Sequence, residues 1–481
     1  MRRERACRTS AVNPTHARPT MDRRRFLKAG ALGAAAIAGG ANAAVSAPAV
    51  HTDRRPNVLL VITDQQGLDT ISALGCDHVR TPAMDQLAGR GVSFACSHST
   101  NPLCSPARSS LFTGRPTLET GVVVNGLPIR ESIPNLGQWL GREGYETTYV
   151  GKWHVPQSFP ATMPGFTVIP AGLGGQGELG DSAVSRACEG YLRNRTKSDP
   201  FFLVASFLQP HDVCQFVSMH TAGIDALPFE GIEGELPPLP ANHQFDPREP
   251  EKVKRGRKVS WSELTWRYYL WSYYRMVEMV DAEVGRVLDA LEGSGQAENT
   301  LVVFTADHGE GRGRHQMVTK NYLYDEAVKV PLVVSFPGRA QEDAQDNEHL
   351  VSGVDVVPTV CDYAGLKSPP DQRGRSLRPL LEGKSPEWTE MVAAEVQRDG
   401  RMIRTERYKY IVYHDDPVEQ LFDMIDDPGE TRNLAETSGH AGALEDHRKL
   451  LRDWEARLDV APVTLPAPWQ KPKARGGRAK S

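Results

Sequence analysis

The chain has 481 residues, 24% of them charged, and a formal net charge of −4. That is the balance of an ordinary globular protein long enough to bury a large core. It excludes a collagen-like or low-complexity chain, and it carries no basic excess that would point to nucleic acid. Seven cysteines stand at irregular intervals with no C-x-x-C pair, so neither a zinc ribbon nor a disulfide framework is indicated.

In chain order, the first feature is an address. Asp22 to Lys28 reads D-R-R-R-F-L-K, followed by a small-residue stretch to about Val50 that contains Ala41-Asn42-Ala43. A basic region, a weakly apolar region and a small-residue site is the order of an export signal. The pair Arg23-Arg24 resembles the bacterial twin-arginine signal, whose machinery would be a partner, with Met21 as an alternative start. Asn42 and Pro48 interrupt the stretch, which argues against a stable membrane span. Residues 1–50 are therefore read as a signal region, and the mature protein as periplasmic or extracellular.

From residue 56 the pattern is α/β. Short apolar runs at Asn57–Thr63, Thr147–Gly151, Phe201–Phe207, Leu301–Ala306 and Val330–Phe336 read as buried strands. Helical stretches stand between them at Ala83–Arg90, Leu136–Glu143 and Glu263–Glu292, the last with Val277, Val280, Val284, Val287 and Leu291 at helical spacing. Such alternation implies a large, mostly parallel sheet flanked by helices. Residues 212–262, rich in Pro, Gly, His and charge, read as a long irregular loop at a binding site. Tyr408–Tyr413 and Glu419–Asp423 look like short antiparallel strands of a smaller C-terminal α+β subdomain. The expected organisation is a catalytic domain over 55–365, a subdomain over 366–465 and a disordered basic tail over 466–481.

Chemistry gathers at strand ends. Asp64-Gln65 follows the first strand and Asp307-His308-Gly309 the fourth, at the carboxyl edge where open α/β sheets bind ligands. Singly, each aspartate is more often a helix cap. Together, Asp64, Gln65, Asp307 and His308 offer oxygen-rich ligation to one divalent cation, Ca²⁺ or Mg²⁺ first, with Mn²⁺ or Zn²⁺ left open by the imidazole.

The run from Cys104 to Arg115, C-S-P-A-R-S-S-L-F-T-G-R, resembles the signature of the type I sulfatases of the alkaline phosphatase superfamily. Further stretches are similar to that family in the same order: Gly151-Lys152-Trp153-His154, Pro210-His211, Asp307-His308-Gly309-Glu310, and Lys320 ahead of Tyr324-Asp325-Glu326. Tyr408-Lys409-Tyr410 and Leu421-Phe422-Asp423 extend the likeness, which spans nearly all of residues 55–435.

The resemblance implies an alkaline phosphatase-like fold and a sulfatase acting on a sulfated small molecule or carbohydrate. Cys104 would be oxidised by a formylglycine-generating enzyme to formylglycine, whose hydrate attacks sulfur and later expels sulfate. Asp64, Gln65, Asp307 and His308, with the modified Cys104, would hold the cation, Ca²⁺ by analogy. Arg108 would face an oxyanion near the hydrate, and Lys152 and Lys320 would grip sulfate oxygens. His154 would assist the hydrate and its collapse, His211 would stand on the leaving-group side as general acid, and His315 holds a familiar place before Lys320. Gln65 departs from the family, many members of which carry a second aspartate there. Phosphonate monoester and phosphodiester hydrolases share C-x-P-x-R and form the alternative enzyme reading. A catalytically silent sugar-binding protein is the alternative of another class.

Overall fold

The computed structural model describes residues 54–171, 177–258, 260–414 and 416–463, so the signal region 1–50 and the basic tail 466–481 lie outside the described residues. The main sheet contains β1 (Asn57–Asp64), β2 (Val92–Phe94), β3 (Glu146–Gly151), β4 (Thr167–Ile169), β5 (Phe201–Pro210), β6 (Thr300–Ala306), β7 (Leu332–Ser335) and β8 (Ala344–Asp346). Their order across the sheet is β4-β3-β5-β1-β6-β7-β2-β8. β1 runs parallel to both β5 and β6, with Val58 opposite Phe202 on one side and Leu301 on the other. β7 runs antiparallel to β6 and β2. The sheet is thus mixed, with parallel pairs in the majority.

The apolar runs are continuous because both faces of the central strands are covered. Helices flanking or following these strands are α1 (Pro82–Gly89), α2 (Cys104–Thr113), α3 (Leu136–Arg142), α4 (Gly177–Asn194), α5 (Val213–Met219), α6 (Glu263–Gly293), α7 (Val356–Tyr363) and α8 (Ala441–Glu455). Val58, Leu60 and Ile62 pack with Leu111 and Phe112 of α2 and with Val356 and Val360 of α7. Leu59 and Val61 point the other way, into a core with Val184 and Cys188 of α4 and Val280, Val284 and Val287 of α6. Successive residues of one strand thus serve two cores.

The segment 212–262 is less irregular than its composition suggests. It carries α5 and short helical turns at Glu230–Glu235 and Glu251–Lys254. Phe216 and Val217 of α5 and Trp261 join Trp266, Tyr269 and Tyr273 of α6 in an aromatic cluster, so apolar residues buried against α6 order the segment. Near the C-terminus, β9 (Met391–Val396), β10 (Gly400–Thr405), β11 (Tyr408–Tyr413) and β12 (Gln420–Asp423) form an antiparallel four-stranded sheet in sequential order. Ile403, Tyr410 and Leu421 on one face pack against Leu444 and Leu451 of α8, while Ile411 and Phe422 on the other meet Tyr322, Leu323 and Tyr324. That second contact ties the small sheet to the loop carrying Lys320.

His98, buried beside this junction, makes the fold sensitive to acid. Burial, joined by Lys329, Arg404 and Lys409, outweighs Asp325 and lowers its imidazole to about 3. Between the unfolded value of about 6.5 and that folded value, only the unfolded chain binds the proton, so stability falls as pH drops through this window. Denaturant unfolding between pH 7 and 4 is expected to show a slope that His98→Asn reduces by about one proton. An unchanged slope would count against it.

Candidate active site

β1 and β6 are neighbours in parallel register, Thr63 beside Ala306, so the next residues, Asp64 at the end of β1 and Asp307 just past β6, fall at the same edge. Asp64 and Asp307 therefore lie side by side, both buried. Gln65 follows with φ 71°, and its N–H donates to Asp307 Oδ1 at 3.0 Å. The His308 N–H donates to the same oxygen at 2.9 Å, and His308 Nδ1 lies 2.9 Å from the Gly309 carbonyl oxygen.

Helix α2 brings the sulfur and the guanidinium. Cys104 is its first residue, and Arg108 stands one turn later on the same face. Cys104 Sγ is 3.1 Å from His308 Nε2 and 3.7 Å from Asp64 Oδ1. One donor atom each from Asp64, Cys104, Asp307 and His308 falls within 4.8 Å of the others. Arg108 braces the group: Nε donates to Asp307 Oδ2 at 2.8 Å and Nη2 to Asp64 Oδ2 at 3.0 Å. Its Nη1 donates to the Lys152 carbonyl and Ser206 Oγ, each at 2.7 Å.

Lys152 leaves the end of β3, and its Nζ lies 2.6 Å from Asp64 Oδ2. Gly151 before it has φ 100°, and a Cβ there would fall 1.9 Å from the Ser206 carbonyl oxygen, so only glycine lets the chain turn Lys152 inward. His154, at φ 67°, accepts at its carbonyl from Ser105 Oγ, and its Nδ1 is buried without a hydrogen-bond partner among the described residues. His211 follows β5 at the same carboxyl edge. The Lys320 ammonium donates to Gln65 Oε1 and lies 3.7 Å from Cys214 Sγ. His315 stands apart, with Nδ1 3.0 Å from Glu326 Oε1 and Nε2 3.2 Å from the Glu430 carbonyl.

Gln65 turns its amide toward Lys320, Glu310 and Cys214. Glu310, fully buried, also accepts from the Tyr269 hydroxyl and the Thr319 N–H. Tyr273, one turn after Tyr269 on α6, donates to the Gln65 carbonyl at 2.8 Å. These supports went unassigned from sequence. Glu310 was visible only as the residue after Asp-His-Gly, and the two tyrosines only as a helical repeat in α6.

The electrostatics are those of a crowded site. Burial opposes charge on Asp64, yet Lys152, His211, Arg108 and His308 hold its carboxyl well below the usual range. Burial and neighbouring Asp64 push Asp307 up to about 6 against His308 and Arg108. Burial works against a charged His308, but Asp307 and Cys104 raise it to about 9. Burial, then Lys320 and Lys152, lower His211 to about 3 despite Asp64, so its imidazole is neutral at pH 7 in the free protein. Negative charge brought between the two lysines would raise it again.

Comparison with known proteins turns this arrangement into a classification. Residues 56–366 match the family model described as Sulfatase, and residues 313–457 match that described as N-sulphoglucosamine sulphohydrolase, C-terminal. The chain belongs to the sulfatase family. It is accordingly a sulfuric ester hydrolase. It is 32% identical over 453 residues to a Delta 4,5-hexuronate-2-O-sulfatase of Bacteroides thetaiotaomicron, covering 86% of this chain and 92% of the relative. A solved 2-O GAG sulfatase superposes with TM-score 0.76 at 31% identity over 84% of this sulfatase and 92% of that chain. The phosphonate monoester hydrolase of Agrobacterium radiobacter superposes with TM-score 0.72 at 26% identity, over 84% and 96%.

Proposed function

We propose that this sulfatase removes sulfate from a sulfated carbohydrate, with a formylglycine made from Cys104 as nucleophile and one divalent cation at Asp64, Asp307 and His308. The observation that carries the reading is the convergence of Cys104 with two carboxylates and an imidazole within 4.8 Å. The carbohydrate is supported by the Delta 4,5-hexuronate-2-O-sulfatase and the 2-O GAG sulfatase, which this chain resembles along most of its length.

The donor set fits a cation. Two buried carboxylates share one guanidinium, and Asp307 is pushed up by burial and then by the charge of Asp64, a repulsion that a divalent ion relieves. Oxygen donors in the majority favour Ca²⁺, with Mg²⁺ or Mn²⁺ compatible. When present, the hydrated formylglycine supplies a nucleophilic hydroxyl with a second hydroxyl for release, and the cation offsets sulfate charge.

The chain's own residues do the rest. Arg108, with four of its five N–H groups spent on the protein, fixes Asp64 and Asp307 in position. Lys152 and Lys320 stand ready to hold sulfate oxygens, and the Gln65–Glu310–Tyr269 chain holds Lys320 in place. His154, with Nδ1 unpartnered, holds or moves a proton at that atom. His211 delivers a proton to the departing alcohol once sulfate charge between Lys152 and Lys320 lifts its affinity for one. The Arg23-Arg24 run supports maturation by a formylglycine-generating enzyme followed by twin-arginine export to the periplasm or beyond. Among the described residues no helix is long and apolar enough to cross a membrane.

The likeness to a phosphonate monoester hydrolase keeps one rival in view. Matured protein is expected to turn over an aryl sulfate faster than the matching aryl phosphate diester by roughly a hundredfold. Chelation should abolish that turnover and Ca²⁺ restore it. Faster cleavage of the diester would transfer the assignment to the rival.

A further inference from the structure

A second recessed site lies away from Cys104. A cavity of about 780 Å³ opens between the turns at Ser352 to Asp355 and Arg373 to Arg375, strand β9 and the end of α8. It reaches Thr100 and Pro116, which flank α2 in sequence, and none of its lining residues belongs to the cluster around Asp64. Its size is that of a small-molecule site.

The lining has a particular chemistry. Trp388 and Trp454 are half-buried in its wall, and the Trp388 indole N–H donates to the Leu350 carbonyl at 2.8 Å, which fixes that ring. Arg373 is committed, with Nη2 2.6 Å from Glu119 Oε1. Arg375 and Arg457 are not. Both are exposed, and their guanidinium groups donate only to backbone carbonyls, of Glu387 at 3.4 Å and Asp453 at 3.0 Å, with no carboxylate within ion-pair distance among the described residues, although the Arg375 backbone N–H donates to Asp355 Oδ1 at 2.7 Å and its charge acts on that carboxyl. Four carboxylates share the cavity, Glu390 and Asp453 exposed and Asp355 and Glu395 buried, the last accepting from the Thr117 hydroxyl and the Leu118 N–H.

We infer that this cavity is an accessory site for a sulfated oligosaccharide, an inference that rests on the carbohydrate reading above. Indole faces cover the C–H faces of sugar rings, and unspent guanidinium groups match the paired oxygens of a sulfate. Glu390 and Asp453 accept from sugar hydroxyls, which a free inorganic anion lacks. A chain held here stays on the same molecule as the catalytic cluster, which raises its effective concentration there.

The test is calorimetric titration of Cys104→Ala protein, which binds without turnover, using a heparin-derived octasaccharide and an unsulfated octasaccharide of the same backbone. Adding Arg375→Ala and Arg457→Ala is expected to weaken the sulfated octasaccharide about tenfold, the loss of roughly one charge-assisted contact. With Cys104 in place, the same double substitution should leave kcat/KM on a small aryl sulfate unchanged. Unaltered octasaccharide affinity, or equal affinity for the unsulfated chain, overturns the inference. Failure to hydrolyse any sulfated sugar would count against the carbohydrate reading alone, and the calorimetry would still decide the cavity.

Discussion

Replacing Cys104 with alanine is expected to lower kcat/KM on an aryl sulfate by roughly 10⁵-fold, the scale of losing a covalent nucleophile. The substitution removes one atom, Sγ, lying 3.1 Å from His308 Nε2 and 3.7 Å from Asp64 Oδ1, and with it the precursor of the proposed formylglycine. The charged frame of Asp64, Asp307, Arg108 and Lys152 stays, so binding of sulfate and of the cation should survive. The fold should survive as well, since a buried cysteine trimmed to alanine loses only a small contact, on the order of 1–2 kcal/mol. The companion measurement is the mass of the peptide Gly91 to Arg108 from unaltered protein, in which Cys104 should have lost its sulfur and two hydrogens and gained one oxygen. A variant within tenfold of the parent rate would sink the proposed chemistry.

Arg108→Ala is expected to damage stability and catalysis together. The side chain is fully buried and its donors meet Asp64, Asp307, the Lys152 carbonyl and Ser206. Removing it leaves two neighbouring buried carboxylates short of a shared counter-charge. Breaking such an arrangement costs about 3–5 kcal/mol. Arg108→Lys should rescue little, because one ammonium cannot span two carboxylates as a planar guanidinium does. Denaturant unfolding beside kcat/KM would read both effects. A variant of parental stability would show that the cation alone balances the pair.

Much of this is legible in the sequence, for physical reasons. β1, β5 and β6 announce themselves because a strand buried on both faces must be apolar throughout, and Asp64 and Asp307 stand out as the polar break at each end. Other elements left no such trace. β2 and β8 have three residues each, too few for a period, and are held by pairing to each other and, for β2, to β7. α4 carries Gly180 and Gly190, which dilute its helical preference. α2 is buried all round, so it has no polar face to reveal a helical period. In the site, the residues with long matching motifs come together around Cys104, Asp64 and Lys320. The Glu310 and Tyr269 supports do not show in sequence, because they meet Gln65 from positions 245 residues on and, for Tyr269, through Glu310 from a different helix.

The burial of α2 also orders events in time. Every residue from Cys104 to Thr113 is buried in the finished fold. On the proposed chemistry, an enzyme that oxidises Cys104 therefore meets it while the chain is still open. At about 5–20 residues per second, the roughly 200 residues from Cys104 to the end of β6 take on the order of 10–40 s to synthesise. On the proposed chemistry, synthesis of the chain from Cys104 to β6 leaves the oxidation at least that long, and a molecule that folds with its thiol intact lacks the proposed nucleophile.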